Sequence, residues 1–249
     1  MRKKNLWYNY ISIMVMVVLS GSIFARTAQF ILPIDLSSLP PPYNSVKLKP
    51  LDLGGWNHTP EELTKLIQKF DVKTIVEIGV WKGASSIHMA KQLPPDGKVY
   101  SVDHFAGSPE LQEGGYEDEF SKLYDQFLSN VIHEKLTHKI VPIKMRSIEA
   151  AESLKNLKPD MVYIDGDHSY AETLADIRAW YPLVAGHGIL CGDDFSLKEG
   201  DVSTAVKDFC KENGLKYITK DHPETKEPWL WIIQVSPRTD RLFNFWQFW

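Results

Sequence analysis

Apolar and polar residues change their rhythm along this chain, and the change marks its elements. From about residue 59 onward, stretches with apolar residues at every third or fourth position alternate with short unbroken apolar runs. The first rhythm is that of an amphipathic helix, the second that of a strand buried on both faces. "HTPEELTKLIQKF" shows the helical case: Thr59 is placed as N-cap, Pro60 at the first helical position and Glu62 to close a capping box. Leu63, Leu66, Ile67 and Phe70 then share one face. Further helices are expected over residues 83–93, 117–132, 147–157, 170–184 and 201–213. Strands are expected over 73–79, 98–105, 138–144, 160–165, 186–194, 215–220 and 229–235. Strands that alternate with helices need crossover connections, hence a mainly parallel sheet covered on both faces. Only "DHPETKEP" separates the last two strands, so they can pair antiparallel. The expectation is an α/β domain over residues 57–236: a Rossmann-like, doubly wound, mainly parallel seven-stranded sheet with an antiparallel last strand and helices on both faces.

The flanks break the pattern. "MRKKNLWYNYISIMVMVVLSGSIFA" opens with Arg2, Lys3 and Lys4 and continues apolar from Ile11 to Phe24. Residues 1–25 therefore read as a signal peptide or membrane anchor, with 6–25 long enough to span a bilayer. On that reading the protein is membrane-associated or in the secretory pathway, on a side the sequence leaves open. Residues 26–56 carry Pro40, Pro41 and Pro42, which fix φ and lack donors, and read as an extended tether. Residues 237–249 form a tail dense in Phe243, Phe245, Trp246, Phe248 and Trp249, suited to packing on the domain, a homo-oligomer interface or a membrane surface.

Composition narrows the partners. Of 249 residues 43% are apolar, ample for a core, and a net charge of −4 with no long basic run argues against nucleic acid. Cys191, in "GILCGDD", and Cys210, on a helix, read as buried thiols rather than a bridge.

Ligands of such sheets sit beyond the carboxyl ends of the strands, so the strand ends carry the chemistry. The first ends in "VEIGVWKGASS", where Gly79 and Gly83 bracket a tight turn into a helix and Ser85 adds a hydroxyl. A helix start there offers free N–H groups to an anion. The second strand ends at Asp103, placed to accept hydrogen bonds from a ribose diol. Together these suggest a nucleoside cofactor. "MVYIDGDHSY" ends in Asp165, Asp167 and His168, and "CGDDF" in Asp193 and Asp194. Adjacent strands would gather these carboxylates, and anions so crowded need solvent, protons or a divalent cation such as Mg²⁺. The alternative for Asp167 and Ser169 is to cap the helix that follows.

"EIGVWKGAS", "VDHF", "YIDGDHSY" and "GDDF", in this order, resemble the class I S-adenosylmethionine-dependent methyltransferases, and among them the metal-dependent O-methyltransferases of catechol and sugar type. The resemblance covers about residues 56–235. It implies S-adenosylmethionine as cofactor and a hydroxyl of a small molecule or sugar as acceptor. Glu77, Gly79, Gly83 and Ser85 would hold the methionine end, Asp103 the ribose, and Ser147 would lie near the adenine. Asp165, Asp193 and Asp194 would hold the metal. In the catechol type the base is a lysine three positions after the first metal aspartate, where this chain has His168. In the sugar type it is an aspartate two positions on, which Asp167 matches. A metal-dependent hydrolase or hydroxylase-like enzyme on this fold and a nicotinamide-dependent oxidoreductase are the alternatives.

Overall fold

The computed structural model describes residues 8–19, 22–55, 59–108, 112, 114–196 and 200–235. The aromatic tail lies outside them. Two strands precede the domain, β1 (Tyr8–Leu19) and β2 (Ser22–Pro33), paired antiparallel from Tyr8 opposite Pro33 to Leu19 opposite Ser22. This corrects the expectation of membrane association through residues 6–25 and of a membrane or secretory localisation. Among the described residues no helix is long and apolar enough to cross a membrane. Val, Ile, Tyr and Phe crowd both arms, and such residues favour a pleated strand over a helix.

The domain then alternates as its sequence rhythm demands. In chain order come α1 (Pro60–Lys69), β3 (Thr74–Ile78), α2 (Ala84–Gln92), β4 (Lys98–Asp103), α3 (Glu117–His133), β5 (Ile140–Lys144) and α4 (Ser147–Ser153). They are followed by β6 (Met161–Ile164), α5 (Tyr170–Trp180), β7 (Ile189–Gly192), α6 (Asp201–Asn213), β8 (Ile218–Asp221) and β9 (Pro228–Gln234). Seven strands form one sheet in the order β5-β4-β3-β6-β7-β9-β8, parallel except for β9, which runs against both of its neighbours.

Alternate residues of each strand feed two cores, one on each face. Ile75 of β3 and Val99 of β4 pack with Leu63 and Leu66 of α1, Ile87 and Met89 of α2, and Leu123, Phe127 and Val131 of α3. Their neighbours Val76 and Val102 face the other way, onto Ala150 of α4, Leu174, Ile177 and Trp180 of α5, and Val206 and Phe209 of α6. Cys191 and Cys210 are free and buried, as their surroundings implied.

Residues 34–55, read from the sequence as a tether, lie strapped against the domain. Tyr43 is buried and its hydroxyl donates to the Ile140 carbonyl at 2.9 Å. The strap's main chain is then bonded along α3: Lys49 N–H to Ser129 Oγ, Asp52 N–H to Asn130 Oδ1, and Asn130 Nδ2 to the Asp52 carbonyl. Asn130 Nδ2 also donates to the Lys82 carbonyl at 2.8 Å, which ties the strap to the turn after β3.

Candidate active site

The strand order reverses between β3 and β6, and the two ends there are in backbone contact. Gly79 N–H donates to Val102 O at 3.0 Å, and Asp165 N–H to Ile78 O at 2.8 Å. Gly79 has φ +81°, and a Cβ added to it would stand 2.0 Å from the Asp165 carbonyl oxygen. Only glycine lets the chain turn there. Gly83, at φ +87°, is the N-cap of α2 and packs against the Phe127 ring.

Glu77 lies beneath this turn with no exposed surface, accepting hydrogen bonds from the Ser85 and Ser86 hydroxyls; Ser86 Oγ in turn meets Ser101 Oγ at 2.8 Å. Burial pushes the Glu77 carboxyl up to about 8; the two serines offset part of that, and the charges of Asp165 and Asp103 add to it. Glu77 and Ser85 are thus engaged with each other, and the turn presents its backbone to the rim. Asp103 sits above. Its Oδ2 accepts from the N–H groups of Val80 (2.9 Å) and Trp81 (3.3 Å), and its Oδ1 from Phe105 N–H (2.6 Å). It holds the glycine turn in place; Oδ2 is filled by two N–H groups, while Oδ1 keeps a lone pair for a further donor. Ser147 begins α4; its Oγ accepts from Trp180 Nε1 at 2.9 Å and the hydroxyl also bonds Asp176. Burial lifts the Asp176 carboxyl to about 6.

The acids at the ends of β6 and β7 converge as the strand order requires, with one change of membership. Asp165, His168 and Asp194 each offer a ligand atom, all within 4.8 Å of one another, and His168 Nε2 stands 2.9 Å from Asp194 Oδ2. Asp193, expected in this cluster, lines the same cleft but is buried outside the triad, and its Oδ1 has no hydrogen-bond partner. Burial and the neighbouring Asp194 charge push Asp193 up to about 7. Burial, then the charges of Asp193 and Asp194, hold Asp165 well above the usual carboxylate range; His168 and the Tyr163 hydroxyl draw it partly back. Asp167 lines the same cleft and its Oδ1 accepts from Ser169 N–H at 2.8 Å. Ser169 is the N-cap of α5, so helix capping here falls mainly to the serine.

Hard oxygen donors, an imidazole and an orphaned buried carboxylate oxygen in one cleft fit a divalent cation. Two carboxylates and one imidazole in the cluster, with Asp167 and Asp193 lining the same cleft, leave excess negative charge that only protons or a cation relieve.

Beside the glycine turn lies a second set of residues that the sequence did not single out. Lys82 Nζ is 2.8 Å from Asp52 and 3.3 Å from Glu119, and Trp81 Nε1 donates to Gly54 O at 3.1 Å. Gly54, Gly55, Trp81, Lys82, Tyr116 and Glu119 line a groove of about 400 Å³, with Asp52 bonded to Lys82 beside it.

Residues 76–195 match the family model described as a methyltransferase domain. An O-methyltransferase from Bacillus cereus, solved with S-adenosylhomocysteine, has a similar fold: TM-score 0.55, 16% identity, 75% of this chain and 84% of that chain covered. The O-methyltransferase TomG from Streptomyces achromogenes, solved with S-adenosylmethionine, aligns over 75% of this chain and 83% of its own at a TM-score of 0.57 and 16% identity. No curated protein matches the chain in sequence. Residues 76–195 thus carry a methyltransferase domain, on a sheet of this order. The oxidoreductase and hydrolase alternatives fall with that assignment.

Proposed function

We propose that the chain methylates a hydroxyl oxygen of a small molecule or sugar, with a divalent cation held by Asp165, His168 and Asp194. The observation that carries this reading is the convergence of those three side chains within 4.8 Å, beside the turn at Gly79. Oxygen as the acceptor atom is supported by the structural neighbours, whose names describe O-methyltransferases. When bound, the donor supplies a sulfonium methyl and the cation makes a neighbouring hydroxyl more acidic.

The chain's own residues do the rest. The backbone of Gly79–Gly83 and the free Oδ1 lone pair of Asp103 bind and orient the donor. Asp193, buried in the cleft outside the triad, supplies a further oxygen or stabilises the ligands. Asp167 lies in the cleft outside the triad, with Oδ1 tied to Ser169, and accepts the proton of the acceptor hydroxyl. His168, paired with Asp194, is assigned to the cluster rather than to the base. The catalytic work is mainly placement of the two reactants and control of charge.

Transfer of labelled methyl from S-adenosylmethionine to a panel of hydroxyl compounds tests this. Labelled methyl ethers should form with Mg²⁺, and both chelator and Asp165→Asn should abolish them. Full turnover in chelator would remove the cation from the mechanism, and products methylated only on nitrogen or sulfur would remove the oxygen acceptor.

A further inference from the structure

The groove beside the glycine turn has the marks of a binding site that the methyl-transfer chemistry leaves unexplained. Its aromatic wall is held at several points. The Trp81 backbone N–H is taken by Asp103, its indole N–H by Gly54 O, and Tyr116 meets its ring edge-on with centroids 5.9 Å apart. Trp81 keeps this place at φ +48°, a conformation uncommon for a residue with a side chain. Tyr116, 37% exposed, is one of only three large apolar side chains exposed among the described residues, so apolar surface is left open where the groove lies. An aromatic wall with exposed surface suits a ring that can lie against it.

The rim carries a sign as well. Lys82 stands between two carboxylates, Asp52 and Glu119, so one positive charge faces two negative ones. An anionic ligand would meet net repulsion there, while hydroxyls can donate to either carboxylate. Location connects the groove to the chemistry: Trp81 is two residues beyond Gly79, whose backbone abuts that of Asp165. We infer that this groove is the acceptor subsite, and that its aromatic wall and net negative rim select a neutral or cationic ring-bearing alcohol over an anionic one. The inference rests on the methyl-transfer reading above and adds the charge and shape of the acceptor to it.

Phenyl β-D-glucoside and phenyl β-D-glucuronide form a matched pair of probes, alike except for one carboxylate. Each is titrated calorimetrically into the full chain saturated with S-adenosylhomocysteine and Mg²⁺. The glucoside should bind about fivefold or more tightly than the glucuronide, and Glu119→Gln should narrow that gap to about twofold. Tyr116→Ala, at an exposed position, should weaken glucoside binding about fivefold with S-adenosylhomocysteine affinity unchanged. Equal affinity for the two probes, no binding of either while S-adenosylhomocysteine binds, or an inert Tyr116→Ala would overturn the acceptor subsite alone. Failure of S-adenosylhomocysteine itself to bind would overturn the underlying methyltransferase reading, and the subsite with it.

Discussion

Replacing Gly79 by alanine loads the point where the strand order reverses. An alanine at φ +81° is strained by about 1–2 kcal/mol before any neighbour is considered. Its Cβ would then stand 2.0 Å from the Asp165 carbonyl oxygen and 2.6 Å from Gly166 Cα, both backbone atoms that cannot swing aside. Ordinary contact begins near 3.4 Å, so the ends of β3 and β6 would have to part by about 1.4 Å. That separation stretches the Asp165 N–H to Ile78 O bond between β6 and β3, at about 1 kcal/mol. The expected loss is about 2–3 kcal/mol, a sizeable part of the stability of a typical domain. Gly115→Ala is the control: φ is +84°, but nothing lies within 4 Å of its added Cβ, so only the conformational cost of about 1–2 kcal/mol remains. Urea unfolding followed by circular dichroism measures both. Calorimetric titration should show S-adenosylhomocysteine affinity falling by about tenfold or more for Gly79→Ala, because the displaced turn is the proposed seat of the donor. Equal stability of the two variants, with donor affinity unchanged in both, would refute the close approach of β3 and β6 as the basis of the site.

Stability should also depend on pH in a definite direction. Glu77, Asp193 and Asp176 have folded-state values raised to about 8, 7 and 6, so each contributes stability that is full below its unfolded value of about 4 and is lost as pH rises through the folded value. The metal-free protein should therefore unfold at lower urea near pH 8 than near pH 5, with Glu77→Gln flattening the slope; a midpoint that rises toward pH 8 would contradict this. Mg²⁺ at about 1 mM should raise Tm more near pH 8, where the acids are ionised, than near pH 5, and Asp194→Asn should remove the difference. Asn130→Ala removes four hydrogen bonds, two of them to the strap through Asp52 N–H and the Asp52 carbonyl, and one each to the Lys82 carbonyl and to Gln126. It should cost about 2–4 kcal/mol and speed amide exchange at Lys49 and Asp52, while unchanged exchange there would show that the strap is held by other contacts.

The sheet and its helices could be read from the chain because each element repeats one period over its length. The helix expected over 170–184 stops at Trp180 and finishes as a 3₁₀ turn, Tyr181–Leu183, where Pro182 has no N–H with which to continue the helical ladder. The N-terminal hairpin was masked by its own composition, since a long apolar run satisfies a bilayer span and a pair of strands alike. The signals that could have separated them are the β-branched residues and the Ser20-Gly21 pair between the arms. In the site, "GDDF" announced two acids without saying which belongs to the triad. Asp194 takes a left-handed backbone, φ +60°, just past the strand and joins the triad, while Asp193 is buried and lines the cleft outside it. His168 enters the cluster through a turn whose geometry has no sequence period. The groove was illegible for a different reason: it joins Gly54, Trp81 and Tyr116, which only the folded sheet brings together.

The claim that Asp165, His168 and Asp194 hold a divalent cation is tested most directly by anomalous diffraction from crystals grown with Mn²⁺ and S-adenosylhomocysteine. The account expects one strong peak per chain within about 2.3 Å of Asp165 and Asp194 oxygens and a His168 nitrogen, absent in Asp165→Asn. A map with no peak among these three side chains while S-adenosylhomocysteine is bound at the Gly79 turn would contradict it.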